Sequence, residues 1–183
     1  MSLYILSDRL LEKYPDIVSS VINVNSRDTN VILGDEEIVL TSKNYICDIM
    51  CKIAVNIAPK ALYQVNTPCA EQLYSSACDF AEPKGKTVLD LYCGAGTIGL
   101  SMARTAKKII GVEIVPEAIE NAKQNALANG ITNCESICAD AAEAARILHS
   151  RKLRPDVIMV DPPRKGCGRD ACEQIAAFSC LLY

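Results

Sequence analysis

The fold of this chain is decided by residues 87–97, which read TVLDLYCGAGT. The first six of them are mostly apolar or β-branched, and they predict a buried strand from Thr87 to Tyr92. Gly94 and Gly96 then permit a tight turn in which the backbone can approach a ligand closely. A helix predicted from Thr97 to Ala106 completes the first strand–turn–helix unit of an α/β protein.

The same alternation of strand and helix continues to the last residue. The predicted strands are Lys108–Ile114, Cys134–Ala139, Asp156–Val160 and one that begins at Leu181, and the predicted helices are Pro116–Asn129, Ala141–Lys152 and Arg169–Ser179. Short connections between such strands give a parallel sheet with helices on both faces. The predicted fold class is therefore α/β, a doubly wound sheet over residues 61–183, preceded by a small β-rich or α+β segment over residues 1–60.

Turn and cap residues indicate the elements that precede the sheet. These are a helix over Ile5–Tyr14, a hairpin over residues 31–40 with Gly34 in its turn, a β-prone run over Tyr45–Ile57 and a helix over Thr67–Phe80 with Thr67 as cap and Pro68 at its first position.

The composition predicts a globular protein of the cytoplasm. Half of the 183 residues are apolar and 22% are charged, which is ordinary for a chain with a packed core. No stretch approaches the roughly 20 apolar residues of a membrane span. The start of the chain, Met1-Ser2-Leu3, lacks the build of a signal peptide. We therefore expect no membrane partner.

The ten cysteines are scattered, and no CxxC pair occurs among them. The CxxxC pairs at 47–51 and 134–138 have no second half, and the only histidine is His149. We therefore expect no metal site, and most of the cysteines are predicted to be small buried hydrophobes in a reducing compartment.

The net charge of −3 argues mildly against nucleic acid, whose binding proteins usually have a basic surface. Arg164, Lys165 and Arg169 nevertheless cluster after Asp161. They form either a set of phosphate contacts or an ordinary solvated surface, and the charge alone does not decide between these interpretations.

Four predicted strand ends carry glycine-rich or polar residues, and all four fall on the edge where doubly wound sheets bind ligands. The first is the glycine turn, where Asp90 suits the cationic amino group of an amino-acid-bearing cofactor. The second is Glu113, which is placed to accept hydrogen bonds from the ribose hydroxyls of an adenosine or is merely exposed. Asp140 either accepts from an adenine amino group or caps the next helix. Asp161 begins the run DPPRKG, whose two prolines predict a stiff lip.

Together these residues resemble class I S-adenosylmethionine-dependent methyltransferases, with their Rossmann-like sheet. They resemble most closely the RNA uracil-C5 methyltransferases, bacterial enzymes that make 5-methyluridine in tRNA and 23S rRNA. The resemblance extends over residues 17–183 and is carried by YQVN at 63–66, LDLYCGAGT at 89–97 and DPPRKGC at 161–167. It implies S-adenosyl-L-methionine as cofactor, RNA as partner (23S rRNA foremost) and a connector role for residues 1–60. The cofactor-binding residues that it implies are Gln64, Tyr92, Gly94, Gly96, Thr97, Glu113, Asp140 and Asp161.

The resemblance also implies a covalent mechanism. A cysteine thiolate adds to uracil C6, the activated C5 takes the methyl group, and a general base removes the C5 proton from a uridine that has left its stack. In the family this cysteine lies well after the DPPR aspartate, at a position that counting from Asp161 places beyond Tyr183. Cys180 is a poor substitute, and Cys93 and Cys167 occupy positions that are not nucleophilic. We expect no catalytic residue in this chain, which binds cofactor and does not methylate.

Three other interpretations stay open on the sequence. An aspartate-Pro-Pro motif also serves methyltransferases that act on exocyclic amines, although Arg164 stands where those usually have an aromatic residue. A non-catalytic module that binds cofactor or RNA is a second. A dinucleotide oxidoreductase is the least supported, because Asp90 and the DPPR run have no role in it. The choice between rRNA and tRNA and the oligomeric state are not determined.

Overall fold

The computed structural model describes residues 2–26, 28, 32–60, 63–64 and 66–182. The helices are α1 Leu3–Lys13, α2 Thr67–Ala81, α3 Thr97–Met102, α4 Pro116–Ala128, α5 Ala141–Ser150 and α6 Arg169–Ala176. The strands are β1 Val21–Val24, β2 Glu36–Val39, β3 Ile46–Met50, β4 Ile53–Ile57, β5 Thr87–Leu91, β6 Lys108–Glu113, β7 Cys134–Cys138, β8 Val157–Val160 and β9 Leu181–Leu182. Within these ranges, no helix is both long and apolar enough to cross a membrane.

The largest sheet has five strands in the order β7-β6-β5-β8-β9, and every neighbouring pair is parallel. The chain runs outward from β5 to β7 and then returns to β8 on the other side of β5. The strand order therefore switches between β5 and β8. The predicted doubly wound α/β sheet is confirmed, including its fifth strand at Leu181. Helix α3 ends at Met102, earlier than predicted, because Ala106 leaves the helix to form a bridge with Lys84.

Helices cover both faces of this sheet, which is why its central strands, β5 and β8, are mostly apolar. Every residue of β5 is buried. One face of the sheet packs against α5 and α6 through a cluster that includes Leu89, Leu148 and Phe178. A second cluster on the sheet, which includes Val88 and Met102, contains residues of α2 and α3.

The first hairpin differs from its prediction. Strand β2 pairs antiparallel with β1, whereas the sequence predicted a hairpin within residues 31–40. The prediction was wrong about the first strand of the hairpin. Val31 lies outside the described residues. Gly34 is not in a two-residue turn; its N–H donates to Asn23 Oδ1 at 2.7 Å and its carbonyl accepts from Asn23 Nδ2 at 3.1 Å. A Cβ at Gly34 would lie 1.9 Å from the carbonyl oxygen of Val24, so glycine is required there for close approach to β1.

The β-prone run Tyr45–Ile57 forms a second hairpin, β3–β4. Its turn residues Cys51 and Lys52 have φ values of 50° and 63°. Two residues at positive φ fit the twist of a tight hairpin, but glycine or asparagine usually occupies such positions. Neither glycine nor asparagine is present here, so no residue pattern indicates the turn. Its position is fixed by Glu71 of α2, whose Oε1 accepts the Cys51 N–H at 2.8 Å.

Helix α2 begins at Thr67 as predicted, but the cap is Asn66. The Asn66 Oδ1 accepts the N–H of Cys69 at 3.4 Å. Thr67 is not the cap because its hydroxyl donates to Asp48 of β3 instead, at 3.4 Å.

The β3–β4 hairpin shares a hydrophobic core with the helices of the sheet. Its residues Met50, Ile53 and Val55 are buried in one cluster with residues from α2, α3 and α4. The predicted division of the chain between residues 60 and 61 stays a prediction.

Candidate cofactor-binding site

The four predicted strand ends meet at one edge of the sheet. Tyr92 directly follows β5, Glu113 is the last residue of β6, Asp140 comes two residues after β7, and Asp161 directly follows β8. In parallel sheets the carboxyl ends of neighbouring strands lie side by side, and ligands bind there near the switch in strand order. The switch between β5 and β8 places Tyr92 and Asp161 on adjacent strands.

The loop between β5 and α3 is a tight turn closed by the Gly96 N–H, which donates to the carbonyl of Cys93 at 2.8 Å. Gly96 has φ 83°, and a Cβ there would lie 3.2 Å from the Cβ of Ala122 on α4. Glycine therefore suits both the backbone conformation and the close packing at this position.

Tyr92 adopts a φ of 62°, which is unusual for a residue with a large side chain. Burial raises the pKa of its phenol to about 12, and a hydrogen bond with the Cys167 thiol adds to the shift. Tyr92 therefore remains a neutral phenol at physiological pH. The contact also links the glycine loop to the DPPRKGC run.

The Glu113 carboxylate is fixed by three backbone N–H groups. Its Oε2 accepts from Gly94 at 3.2 Å, while its Oε1 accepts from Ile114 at 2.8 Å and from Val115 at 3.1 Å. The side chain is therefore held between the end of β6 and the glycine loop. A carboxylate has about four acceptor positions, so one is still open to a ligand.

Asp90 is placed differently from its prediction. Its side chain is only 1% exposed and lies beneath the loop, where Oδ2 accepts the N–H of Gly99 at 2.9 Å. It supports the start of α3 and does not face the edge, so the predicted contact with a cofactor amino group is not available in this conformation. Burial raises the pKa of Asp90 from 3.8 to about 7, although the Gly99 hydrogen bond opposes the shift.

The second oxygen of Asp90 is buried and has no hydrogen-bond partner among the described residues. A cavity of about 20 Å³ lies beside it, lined by Cys93, Gly111 and Cys134 among others. This is room for about one water molecule. Glycine at position 99 leaves room for the carboxyl, because a Cβ there would lie 2.9 Å from Asp90 Oδ2.

Asp140 caps helix α5: its Oδ1 accepts the N–H of Glu143 at 2.9 Å. The predicted cap is thus confirmed, whereas the contact with adenine stays a prediction. Asp161 is exposed at the base of the DPPRKGC run, which turns back through a 2.7 Å hydrogen bond from the Gly166 N–H to the Pro163 carbonyl.

Gln64 lies on a separate segment, before α2, and is exposed. Its neighbour Tyr63 is tied to β3 by a hydrogen bond from its hydroxyl to Asp48 Oδ2 at 2.8 Å. This bond is the largest cause of the lowered pKa of Asp48. On α2, the buried Tyr74 hydrogen-bonds with the side chain of Thr97 in the glycine loop.

Asp48 and Tyr74 were not predicted from the sequence. No local pattern marks either residue, because their partners lie 15 or more residues away in the chain. Only the folded structure brings them together.

Of the ten cysteines, all of which the structure describes, only Cys93 is buried, so the prediction that most of them are buried hydrophobes is wrong. The cysteines whose pKa shift is resolved are poor nucleophiles. Burial is the largest cause in each case, and it raises the pKa of Cys51, Cys78, Cys93, Cys134 and Cys180. A raised pKa keeps the thiol protonated, while the thiolate is the reactive form. In the part of the chain that the structure describes, no group of three or more His, Cys, Asp or Glu residues could hold a metal ion.

A larger cavity, of about 330 Å³, lies between β8 and α6, and its lining residues do not include the glycine loop. It is lined mainly by apolar groups, including Ile158, Val160 and Ile175. We place the candidate site at the strand ends, because the cavity lacks their convergent carboxylates and backbone donors.

A doubly wound sheet with a glycine loop and strand-end carboxylates at its switch point defines a class of α/β proteins that bind nucleotide-like cofactors. Residues 18–183 match the model of the family described as tRNA (Uracil-5-)-methyltransferase, and the chain belongs to this family.

Two curated relatives are both named uncharacterized RNA methyltransferases. One, from Oceanobacillus iheyensis, is 44% identical over 169 residues, which are 92% of this chain and 37% of that protein. The other, from Clostridium acetobutylicum, is 47% identical over 158 residues, which are 86% of this chain and 34% of that protein. The chain thus spans little more than a third of the length of these relatives.

Among solved structures, the chain resembles the Pyrococcus abyssi tRNA (uracil-54, C5)-methyltransferase in complex with S-adenosyl-L-homocysteine. The TM-score is 0.75 at 25% sequence identity, over 92% of this chain and 41% of that one. Together the matches confirm the family resemblance and the class I methyltransferase fold that the sequence predicts.

Proposed function

We propose that this chain is the S-adenosyl-L-methionine-binding part of an RNA methyltransferase that modifies uracil at C5. The observation that carries the proposal is the placement of Glu113, held against the Gly94 amide at the edge shared with Asp140 and Asp161. The family and the Pyrococcus abyssi neighbour, whose structure holds S-adenosyl-L-homocysteine, support it.

The groups at this edge fit the parts of the cofactor. The open acceptor position of Glu113 suits a ribose hydroxyl, and the exposed Asp140 has a second oxygen free of the cap for the adenine amino group. The exposed carboxylate of Asp161 suits a cationic amino group. The remaining proposed contacts are Gln64, Tyr92, Gly94, Gly96 and Thr97.

When bound, the cofactor supplies a methyl group on a positively charged sulfur. The chain's own residues bind and orient it. Tyr92 does so as a neutral phenol, because its pKa is raised to about 12.

Methylation of C5 needs a thiolate that adds to C6, and we propose that no cysteine of this chain supplies it. The raised pKa values of Cys93 and Cys180 support this proposal, because both thiols remain protonated at neutral pH. The chain alone then binds cofactor without methylating. Methyl incorporation into uracil-containing RNA by these 183 residues alone would overturn this part of the proposal.

The proposed partner is RNA, with Arg164, Lys165 and Arg169 as phosphate contacts beside Asp161. All three basic residues are exposed. The expectation of 23S rRNA stays a prediction, since the family description and the Pyrococcus abyssi neighbour both name tRNA. Measuring 5-methyluridine in 23S rRNA and in tRNA from cells that lack the gene decides between them. The RNA that loses the base is the substrate, and loss from neither contradicts the proposed activity.

Calorimetry with S-adenosylhomocysteine tests the pocket. We expect Glu113→Ala and Asp161→Ala each to weaken binding by about tenfold or more, since hydrogen bonds to charged groups contribute on the order of 1.5–3 kcal/mol. The matched control is Glu117→Ala, which removes an exposed carboxylate from the first turn of α4, four residues further along the chain. Unchanged affinity in both pocket variants would contradict the proposed site.

A further inference from the structure

Two asparagines hold the outer edge of β4: the buried Asn125 on α4 and the half-buried Asn129, which is the C-cap of α4. Asn129 Oδ1 accepts the Ala54 N–H at 2.9 Å, and its Nδ2 donates to the Ala54 carbonyl at 2.7 Å. Asn125 Oδ1 accepts the Asn56 N–H at 2.8 Å, and its Nδ2 lies 3.4 Å from the Asn56 carbonyl. Residues four apart on a helix rise by about 6 Å, close to the roughly 6.7 Å between alternate residues of a strand. The two side-chain amides therefore pair with β4 as a neighbouring strand would.

Only Asn125 also reaches the glycine loop. Its Nδ2 donates to the carbonyl of Ala95 at 3.1 Å, and both residues are fully or almost fully buried, at 0% and 1% exposed. The corresponding donor of Asn129 goes instead to the backbone carbonyl of Asn125, at 2.7 Å, within the same helix. The two asparagines thus share one role at β4 and differ in one contact.

The Ala95 carbonyl sits at the centre of the proposed cofactor loop. The N–H groups of the residues on both sides of Ala95 already have hydrogen-bond partners. The Gly94 N–H donates to Glu113, and the Gly96 N–H donates to the Cys93 carbonyl. Without Asn125, a buried carbonyl would lose its partner, which is unfavourable enough to drive a rearrangement. Rotation of the peptide between Ala95 and Gly96 would relieve it. That rotation would turn the Gly96 N–H away from the Cys93 carbonyl, and opening this turn would loosen the adjoining Gly94 N–H from Glu113.

We infer that Asn125 is a positioning residue for cofactor binding, which fixes the Ala95–Gly96 peptide and couples the glycine loop to β4. The inference rests on the proposed function in assigning the loop to the cofactor. The coupling itself follows from the hydrogen bonds of one side chain to two separate segments. Through it, the hairpin that precedes the sheet helps to set the shape of the loop before the ligand arrives.

The test compares Asn125→Asp with Asn129→Asp in the cofactor-free chain. Each substitution keeps the shape and the acceptor oxygen and removes the donor, so both variants lose a bond to a β4 carbonyl. The readout is the hydrogen exchange of the Gly94 and Gly96 amides, resolved by NMR. We expect Asn125→Asp to speed exchange at both amides by about tenfold or more, and Asn129→Asp to leave it unchanged while lowering the melting temperature.

Calorimetry with S-adenosylhomocysteine is the second readout. Asn125→Asp is expected to weaken affinity by about tenfold, and Asn129→Asp by less than about twofold. If Asn125→Asp does not fold, the same two measurements are made on the uncharged variants Asn125→Ser and Asn129→Ser. Equal effects of the two positions on the loop amides, or none at either, would overturn the inference. Failure of the wild-type chain to bind would overturn the proposed function instead, while the exchange rates would still decide the role of Asn125.

Discussion

The Asp90 carboxyl combines deep burial with one oxygen that has no partner among the described residues. Its position below the glycine loop could be predicted from the sequence, but its direction could not. The direction depends on which face of β5 the residue occupies and on the approach of Gly99, whose N–H takes the other oxygen. The Asp140 cap was easier to predict, because its partner, the Glu143 N–H, lies three residues further along the chain.

The raised pKa of Asp90 predicts a specific dependence of stability on pH. Burial moves the pKa from 3.8 to about 7 in the folded chain, so the folded state holds this proton more tightly than the unfolded state. The contribution of Asp90 to stability is therefore lost as the pH rises from about 4 to about 7.

We expect Asp90→Asn to be more stable than the wild type at pH 8, by on the order of 2 kcal/mol, and to match it more closely at pH 4. The amide keeps an acceptor for the Gly99 N–H. Urea unfolding at several pH values measures the effect, with Asp79→Asn, at an exposed position on α2, as control. Parallel stability curves for wild type and Asp90→Asn would contradict the account.

At the scale of elements, the strands and helices from residue 87 onward followed the predictions because each is specified by local periodicity and by short connections. The first hairpin did not, and the turn of the second, inside the β-prone run Tyr45–Ile57, was not predicted. The partner of β2 lies far upstream at Val21–Val24, and the β3–β4 turn lacks the usual turn residues. The role of Asn125 could not be predicted either, since its partners Asn56 and Ala95 are 69 and 30 residues away in the chain.

The turn geometry predicts that Lys52→Gly stabilises the chain. Lys52 has φ 63°, a conformation that glycine adopts without the steric cost of a Cβ, so a gain of about 0.5–1 kcal/mol is expected. Lys123→Gly, at an exposed position in α4, should lower stability by about 1 kcal/mol, because glycine weakens helices. In thermal unfolding, we expect Lys52→Gly to raise the melting temperature and Lys123→Gly to lower it. A loss at both positions would show that the turn is not strained.

At the scale of the whole molecule, the family, the doubly wound sheet and the edge where its polar strand ends meet were all predictable, because strand–helix alternation fixes where loops meet. The association of the β3–β4 hairpin with the sheet was not, since it depends on packing between distant segments. Val55 of β4 is 0% exposed in a cluster shared with α2, α3 and α4.

This shared core predicts that the hairpin and the sheet unfold together. Val55→Ala should lower the free energy of unfolding by about 2 kcal/mol and speed exchange at the β5 amides. Val39→Ala, in β2 and 42% exposed, should have little effect on either. Unchanged β5 exchange in Val55→Ala would instead favour an independent unit before residue 61.

The central claim is that the edge beyond β5, β6 and β8 forms a pocket for S-adenosyl-L-methionine rather than for a dinucleotide. The most direct test is calorimetric titration of the 183-residue chain with S-adenosylhomocysteine and, in parallel, with NAD. We expect saturable binding of one S-adenosylhomocysteine per chain and no heat of binding with NAD. A folded chain that binds NAD equally well, or that does not bind S-adenosylhomocysteine, would contradict it.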